Sequence, residues 1–572
     1  MAFQLSPGVN VTEFDLTTIV PSVGTTQGAI AARFAWGPSN TIVTISNENE
    51  LVETFGKPTG DANAIATWFT AANFLAYGRD LKVVRTSNTV SDRNSTSGNT
   101  GVLIANEEDY NANWNYPFTT LSNAGINVIT ARYAGDAGNG LRIEIFANGA
   151  NANAFTIWGS NTSINFANQF DSIPLTSGYA NTRGGRWDEM HILVIDQKGT
   201  FAAPNTVLEK YSYVSKAVDA KNDDGSSNYY VNVINDKSRY IYITNHAETS
   251  VGWGNTAQNT TFTSSAIYSY TLQNGASVNT TDADLIIGYD RFKNAEETDI
   301  SLIITGAASN TVSRHVIDNI VETRKDCVAF ISPPYTSVVN RYGREADLSV
   351  AFRNDLPSTS YAVMDSGWKY QFDKYSNVYR WVPLNGDIAG LCVRTDQDRD
   401  PWYSPAGFNR GQIKNVVKLA WNPDKTDRDT LYKSGINPVV SFPGEGTVLY
   451  GDKTMLTRPS AFDRINVRRL FIVLEKAIAR AAKYSLFEFN DEFTRSQFIG
   501  LVEPYLRDVQ GRRGIYAYRV VCDTTNNTPE VIDRNEFIGD IYIKPARSIN
   551  FIQLNFVAVR TGVAFEEIVG RF

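Results

Sequence analysis

The stretch Gly446-Thr447-Val448-Leu449-Tyr450-Gly451-Asp452-Lys453-Thr454 comes nearest to carrying chemistry. Two glycines followed by a lysine and a threonine are the materials of a phosphate loop, where backbone N–H groups and an ammonium converge on phosphate. That loop needs its lysine directly after the second glycine. Here Asp452 intrudes, and its carboxylate would repel an anion at that spot. Val448, Leu449 and Tyr450 suit a strand better than an anion nest. A second arrangement, Asp396-Gln397-Asp398-Arg399-Asp400, alternates carboxylates as a calcium loop does. Pro401 stands where the sharp-turn glycine belongs, and Gly407 where the bidentate glutamate belongs, so an ordinary polar loop is expected. The three histidines, His191, His246 and His315, fall in no zinc-hydrolase pattern, and no GxSxG elbow is present. Glu107-Glu108 and Glu296-Glu297 lie in polar contexts typical of solvated faces. Glycosidase chemistry needs two carboxylates placed across a cleft, which a sequence alone does not exclude. The expectation is a chain that is not an enzyme, with no catalytic residue, no cofactor and no metal ligand.

One non-catalytic pattern is sharper. In SAFDRINVRRLFIVLEKAIARAAKYSLFEFN (460–490), Val467, Phe471, Leu474, Ile478 and Ala481 recur at helical spacing. Arg469, Lys476, Arg480 and Lys483 form a second stripe, roughly opposite the first. The helix then reads as apolar toward its own domain and basic outward. Two readings stay open: a solvated face, or a dock for an acidic partner.

Taken as a whole, 572 residues allow several domains and a sizeable core. The formal net charge of −7 argues against a nucleic-acid coat, since phosphate binding needs a basic surface. Cys327, Cys392 and Cys522 are far apart and make neither a disulfide framework nor a zinc site. A reducing compartment is the simplest setting. MAFQLSPGV lacks the basic stretch and apolar run of a secretion signal. No apolar run is long enough to span a membrane.

The elements alternate between strand and helix periods. AIAARFAW (29–36), TIVTIS (41–46) and LKVVRT (81–86) read as strands. DANAIATWFTAANFLAYG (61–78) reads as a helix capped by Asp61, with Ile65, Trp68, Phe69, Ala72 and Leu75 on one face. Residues 87–127 turn rich in Ser, Asn, Thr and Gly, and are expected as a surface insertion. From 128 to about 285 short strands such as LRIEIF and HILVID alternate with turn-forming stretches. DISLIITG, VSRHVIDNIVETRKD and CVAFISPP then read as a strand, helix and parallel strand. A second late helix, TRSQFIGLVEPYLRDVQGRRG, ends at Gly511, and YAYRVVCD, FIGDIYIKP and INFIQLNFVAVR finish as strands. Both ends are short apolar segments outside any obvious domain: LSPGVNVTEFDLT (5–17), with Val9, Val11 and Phe14, and VAFEEIVGRF (563–572), with Val563, Phe565 and Ile568.

The chain resembles the tail sheath family of contractile-tailed bacteriophages. LSPGVNVTEFDLT resembles that family's opening, a PGV-x-V-x-E pattern. GAIAARFAWGPSNTIVTISNENELVETFGKP (28–58), RTDQDRDPWYSPAG (394–407), GINPVVSF (435–442), INVRRLF (465–471), FEFND (487–491) and PARSINFIQLNF (545–556) resemble later family segments in the right order. The resemblance covers residues 5–86 and about 299–572. Tyr77-Gly78 and LYGDKTML depart from the pattern, which bears on local loop geometry alone.

The resemblance implies a mixed α/β, multidomain architecture. It divides into an N-terminal arm (1–22), a first segment of the sheath core (23–86), a variable surface insertion (87–127), a β-rich middle module (128–298), an α/β sheath domain (299–435), a C-terminal sheath core (436–545) and a C-terminal strand and arm (546–572). It implies a subunit that polymerises as helically stacked hexameric rings around a tail tube protein. Baseplate and tail terminator proteins bound the assembly, with no direct nucleic-acid contact and no membrane insertion. Assembly in the host cytoplasm, a place in the virion and contraction for genome delivery follow. The arms are expected to be donated to neighbouring subunits, completing a small sheet by strand addition. Arg469, Lys476, Arg480 and Lys483 become candidates to face the tube. Two alternatives remain: the sheath of a phage-tail-like injection device, and a carbohydrate-binding or carbohydrate-degrading virion protein.

Overall fold

The computed structural model describes residues 24–114, 127–160, 162, 164–248, 252–262, 266–550 and 553. Among them the chain falls into two compact units: 24–401 with 405–477, and 402–404 with 478–550. The helix Ile465–Ala482 begins in the first unit and ends in the second.

The first unit is organised by a seven-stranded sheet. Its order is Ile436–Asn437, Ala362–Asp365, Val328–Ile331, Leu302–Ile304, Gly28–Ala32, Leu81–Arg85 and Ile42–Ile45. Every pairing is parallel except the last, where Ile42–Ile45 runs against Leu81–Arg85. The sequence writes both faces of this sheet. Ile30, Leu302, Ile304, Val328, Phe330 and Val363 enter one core. The alternate residues Ala29, Ala31, Ile303, Ala329, Ile331 and Met364 enter another. A parallel sheet covered on both faces needs this period of two without any polar side.

The helix Ala62–Leu75 covers the first face, capped by Asp61, whose side chain accepts from the Ala64 N–H at 2.8 Å. It packs with the helix Asn385–Asp398. All residues from Ala66 to Leu75 are buried, so the helix is enclosed rather than amphipathic. The helix read at 312–326 divides. Regular turns at Asn310–His315 pass into a π-helical segment at Val316–Val321 and one closing turn at Glu322–Arg324. The wider turns still put Val316, Ile317, Ile320 and Val321 in the second core.

Strands near in space are here far apart in the chain. Gly28–Ala32 pairs directly with Leu302–Ile304, so everything between them that joins neither face is an insertion. That insertion holds two antiparallel sheets. One has the order Ile267–Thr271, Leu141–Phe146, Glu189–Asp196, Thr206–Ser215; the other is Asn94–Thr96, Ile129–Ala134, Ile241–Ile243. Two boundaries therefore move. The expected surface insertion at 87–127 contains a strand whose Asn94, Ser95 and Thr96 have no exposed surface, and Ile104 is equally buried. Residues 115–126 lie outside the described residues. At the other end, the helix Asp282–Asp290 belongs with the α/β core and not with the β-rich module. Tyr289 packs with Ala29 and Ala31 and donates to the Ile304 carbonyl at 2.8 Å.

In the second unit the helix Glu492–Gly511, capped by Asp491, lays Phe498, Val502, Leu506 and Val509 inward. Beside it runs a two-stranded antiparallel ribbon, Ile515–Val521 with Asp540–Pro545.

Candidate functional site

The two near misses resolve into elements of the fold. Gly446–Leu449 is one strand of a hairpin with Val439–Phe442, not a phosphate cradle. The Asp452 carboxylate pairs with Arg464 at 3.0 Å, and Lys453 Nζ donates to the Tyr432 carbonyl at 2.8 Å. Asp396 and Asp398 lie on the helix Asn385–Asp398, where a calcium loop has no room. A cavity of about 250 Å³ opens at the carboxyl ends of strands 28–32, 302–304 and 328–331, the usual ligand position in open α/β sheets. Its charged side chains are engaged with the protein. Arg33 donates to Asn279 and Ser277, Asp61 caps its helix, and Asp282 accepts from Ser309. His191 is buried, within 2.8 Å of the Ser172 carbonyl and accepting from the Tyr213 N–H, and burial pushes its imidazole down to about 4. His315 pairs with Asp290 at the surface.

The basic stripe is not one surface. Arg469 is 4% exposed and makes a two-pronged contact with Asp396, at 2.8 and 2.5 Å. Burial alone would push its guanidinium down, but the Asp396 carboxylate outweighs this and holds it above its usual range. Lys476 donates to Asp299 at 2.9 Å and to the Ile300 carbonyl at 2.7 Å, with Asp326 at 3.6 Å. Arg480 and Lys483 are exposed. The outward expectation therefore fails for Arg469 and Lys476. The helix is covered on more than its apolar stripe, since Leu470, Ile472, Val473 and Ala477 are buried alongside Val467 and Leu474. A long basic side chain on a covered flank must find acceptors for its charged donors: carboxylates for Arg469 and Lys476, and the Ser360 and Tyr361 hydroxyls for Arg468.

The Arg469 pair has a third member. Thr25 Oγ1 donates to Asp396 at 2.6 Å, and Ser301 Oγ donates to the Gly24 carbonyl at 3.1 Å. The first described residues are thus pinned to the core. Sequence reasoning missed this clamp. Its residues are 73 to 444 positions apart, and no local pattern joins them.

The ribbon 515–521 and 540–545 is only partly enclosed. Tyr516 is 66% and Tyr542 60% exposed, and among the described residues neither outer edge meets a further strand. An isolated two-stranded ribbon is marginal in water, and an open edge invites another strand. The proposed arm residues Val9, Val11, Phe14, Val563, Phe565 and Ile568 lie outside the described residues.

Comparison with known proteins gives the same picture along the whole chain. Residues 26–86 match the N-terminal region of domain III of tail sheath protein Gp18. Residues 276–455 match the phage tail sheath central domain, and 457–558 the phage tail sheath C-terminal domain. The tail sheath protein of Vibrio phage KVP40 is 35% identical, over 99% of this chain and all of that protein. That of Enterobacteria phage T4 is 36% identical over 99% of both. Among solved structures, a sheath tail protein from Listeria innocua superposes with a TM-score of 0.51 at 10% identity, covering 93% of this chain and 97% of that one. The contracted helical sheath of an anti-feeding prophage gives 0.50 at 12% identity, covering 97% and 99%. These two show a shared fold. With a composite α/β core interrupted by a β-rich insertion, and full-length identity above 30%, the chain belongs to the phage tail sheath protein family.

Proposed function

We propose that this sheath subunit polymerises as helically stacked hexameric rings around a tail tube, between a baseplate and a tail terminator, and contracts to drive the tube through the host envelope. The observation that carries this reading is identity to tail sheath proteins of phages over 99% of the chain. The mechanism is conformational. The extended sheath is a kinetically trapped state. Release lets subunits rotate as near-rigid bodies while donated arms keep them linked. The work comes from better contacts between subunits in the contracted form, with no nucleotide and no catalytic residue. The engagement of Asp452 and Lys453 with Arg464 and Tyr432 supports a structural role for that loop. The open ribbon at 515–545 supports strand addition in this chain, since among the described residues neither of its outer edges is paired. With Arg469 and Lys476 engaged inside the fold, the tube-facing proposal narrows to Arg480 and Lys483. The subunit assembles in the host cytoplasm and ends in the virion.

Electron microscopy of the purified full-length chain tests this. Tubes or stacked rings, formed equally with and without ATP, are the expected result. Discrete monomers at every concentration, or assembly that requires nucleotide hydrolysis, would overturn it.

A further inference from the structure

Two unlike surfaces of this chain are complementary. The first is the end of the loop between the two long helices of the C-terminal region with the first residues of the second helix, Leu486-Phe487-Glu488-Phe489-Asn490-Asp491-Glu492-Phe493. Phe487 is fully exposed, Phe489 84% and Phe493 73%. Aromatic side chains left in water beside one another mark an interaction site. The loop is not slack. Asn490 Nδ2 donates to Asn527 Oδ1 at 3.1 Å and to the Glu536 carbonyl at 2.8 Å, and Arg495 donates to Asn490 Oδ1 at 2.8 Å. Phe487 is held at φ 70°, a left-handed conformation that a bulky side chain adopts only at a cost. Glu488, Asp491 and Glu492 interleave with the aromatics, so the surface is apolar and acidic.

The second surface is a groove of about 430 Å³ between the helix 62–75 and the strand Trp368–Asp373, where Phe69, Phe372 and Val417 share the lining with the polar Asn73, Gln371 and Asn415. Val417 is 59% and Phe372 47% exposed. Lys374 lines the groove and pairs with the lining carboxylate Glu48 at 3.2 Å, Lys414 Nζ donates to the carbonyl of the lining residue Ala76 at 2.7 Å, and the exposed Lys418 follows Val417 in the chain. The strand is also incomplete on this side. Lys369 and Tyr370 pair with Leu419 and Lys418, with the Val417 N–H on the Tyr370 carbonyl at 2.9 Å and the Ala420 N–H on the Trp368 carbonyl at 2.8 Å. The same alternation turns the Phe372 N–H and carbonyl toward the groove. There the chain departs at Asn415, φ 56°, and no further strand pairs among the described residues.

We propose that the 486–493 segment of one copy docks in the 372–417 groove of a second copy. Charge complementarity identifies the occupant. An aromatic segment studded with carboxylates fits a groove of mixed polar and apolar lining flanked by lysines, and the segment that supplies it is carried by this same chain. Because loop and groove are different patches, the contact is head-to-tail, the type that propagates into helical arrays rather than closing a two-fold dimer. Phe487 and Phe489 are the anchors. Their fixed backbone lowers the ordering cost of docking. This inference rests on the sheath reading above, because it needs copies that self-assemble.

The test separates the two. Full-length chains carrying Phe489→Cys and, separately, Val417→Cys are co-assembled and mildly oxidised; Cys327, Cys392 and Cys522 are buried. A disulfide-linked dimer that forms in the mixture, and in neither variant alone, is the expected result. The double variant Phe487→Ser/Phe489→Ser should keep the melting curve of the unassembled subunit, and raise the concentration needed for assembly about tenfold or more. Wild-type tubes with no mixed dimer and an unchanged threshold would overturn the docking and leave the sheath reading standing. A wild-type chain that builds neither tubes nor rings would sink both.

Discussion

Asp365 ends the strand Ala362–Asp365 at 1% exposure. Burial pushes its carboxyl up to about 8. The opposing hydrogen bonds, from Ser332 Oγ at 2.7 Å and the Gly367 N–H at 2.9 Å, are weaker than that, and the nearby Asp387 carboxylate adds to the rise. The native state therefore keeps a proton that the unfolded chain releases near 3.9. Between those values the unfolded state holds fewer protons, so this group's stabilisation is complete below about pH 4 and is lost as pH rises toward about 8. Asparagine mimics the protonated acid, accepting from Gly367 and donating to Ser332 Oγ. Asp365→Asn should accordingly gain on the wild type as pH rises, by on the order of a few kcal/mol between pH 5 and 8. Denaturant unfolding at both pH values measures this. An equal gap at the two would show that Asp365 is ionised in the fold. The Lys369–Asp387 pair beside it, at 2.9 Å, is buried on both sides, and desolvation works against the charge of each.

The helix Ile465–Ala482 carries buried charges beside its apolar stripe. Removing Asp396 leaves Arg469 buried and unpaired, which costs about 3–5 kcal/mol. Asp396→Ala should therefore unfold far more easily than Arg469→Met/Asp396→Leu, in which neither charge remains. A double-mutant cycle in denaturant checks this, and equal losses in the single and double variants would show that the pair is idle. The same helix shows what a sequence conveys. Periodicity placed Arg469 and Lys476 correctly around the axis, but it says nothing about which flanks are covered. Their partners Asp396 and Asp299 are 73 and 177 residues away. Asp61 and the run after it were enough to place the helix 62–75, because cap and core are both local. The βαβ unit was legible for the same reason, though its π turns were not. The buried strand Asn94–Thr96 gave no apolar signal at all. Asn94 is accommodated at zero exposure because its amide donates to the Ala131 carbonyl at 3.0 Å and accepts from the Ile104 N–H at 2.8 Å. Turn-forming composition and a hydrogen-bonded core position look alike in one dimension.

At the scale of the whole molecule the remaining question is mechanical: how the subunits of a contractile sheath stay joined. The first described residues are fixed on the core, with Thr25 Oγ1 on Asp396 and the Gly24 carbonyl accepting from Ser301. Tension on a donated arm would therefore pass into the α/β core instead of peeling a loop. The ribbon Ile515–Val521 with Asp540–Pro545 offers the edges on which such an arm can add. Strand addition over about five residues supplies a handful of main-chain hydrogen bonds, each worth roughly 0.5–1.5 kcal/mol net. Full burial of Val9, Val11 and Phe14 would add about 1.5–3 kcal/mol each. One donated arm would thus contribute several kcal/mol to a link between subunits after its ordering cost. Removing residues 1–17, or the tail from Val563 onward, should give a soluble monomer that melts like the unassembled wild type and builds no tubes. Val11→Pro should act likewise where that N–H pairs in the sheet, because proline removes the donor. Sedimentation, thermal melting and electron microscopy read the three properties separately. A truncated chain that unfolds or precipitates would make the arms core strands of their own subunit. One that still builds normal tubes would move the linkage to other surfaces, the aromatic loop and its groove first among them.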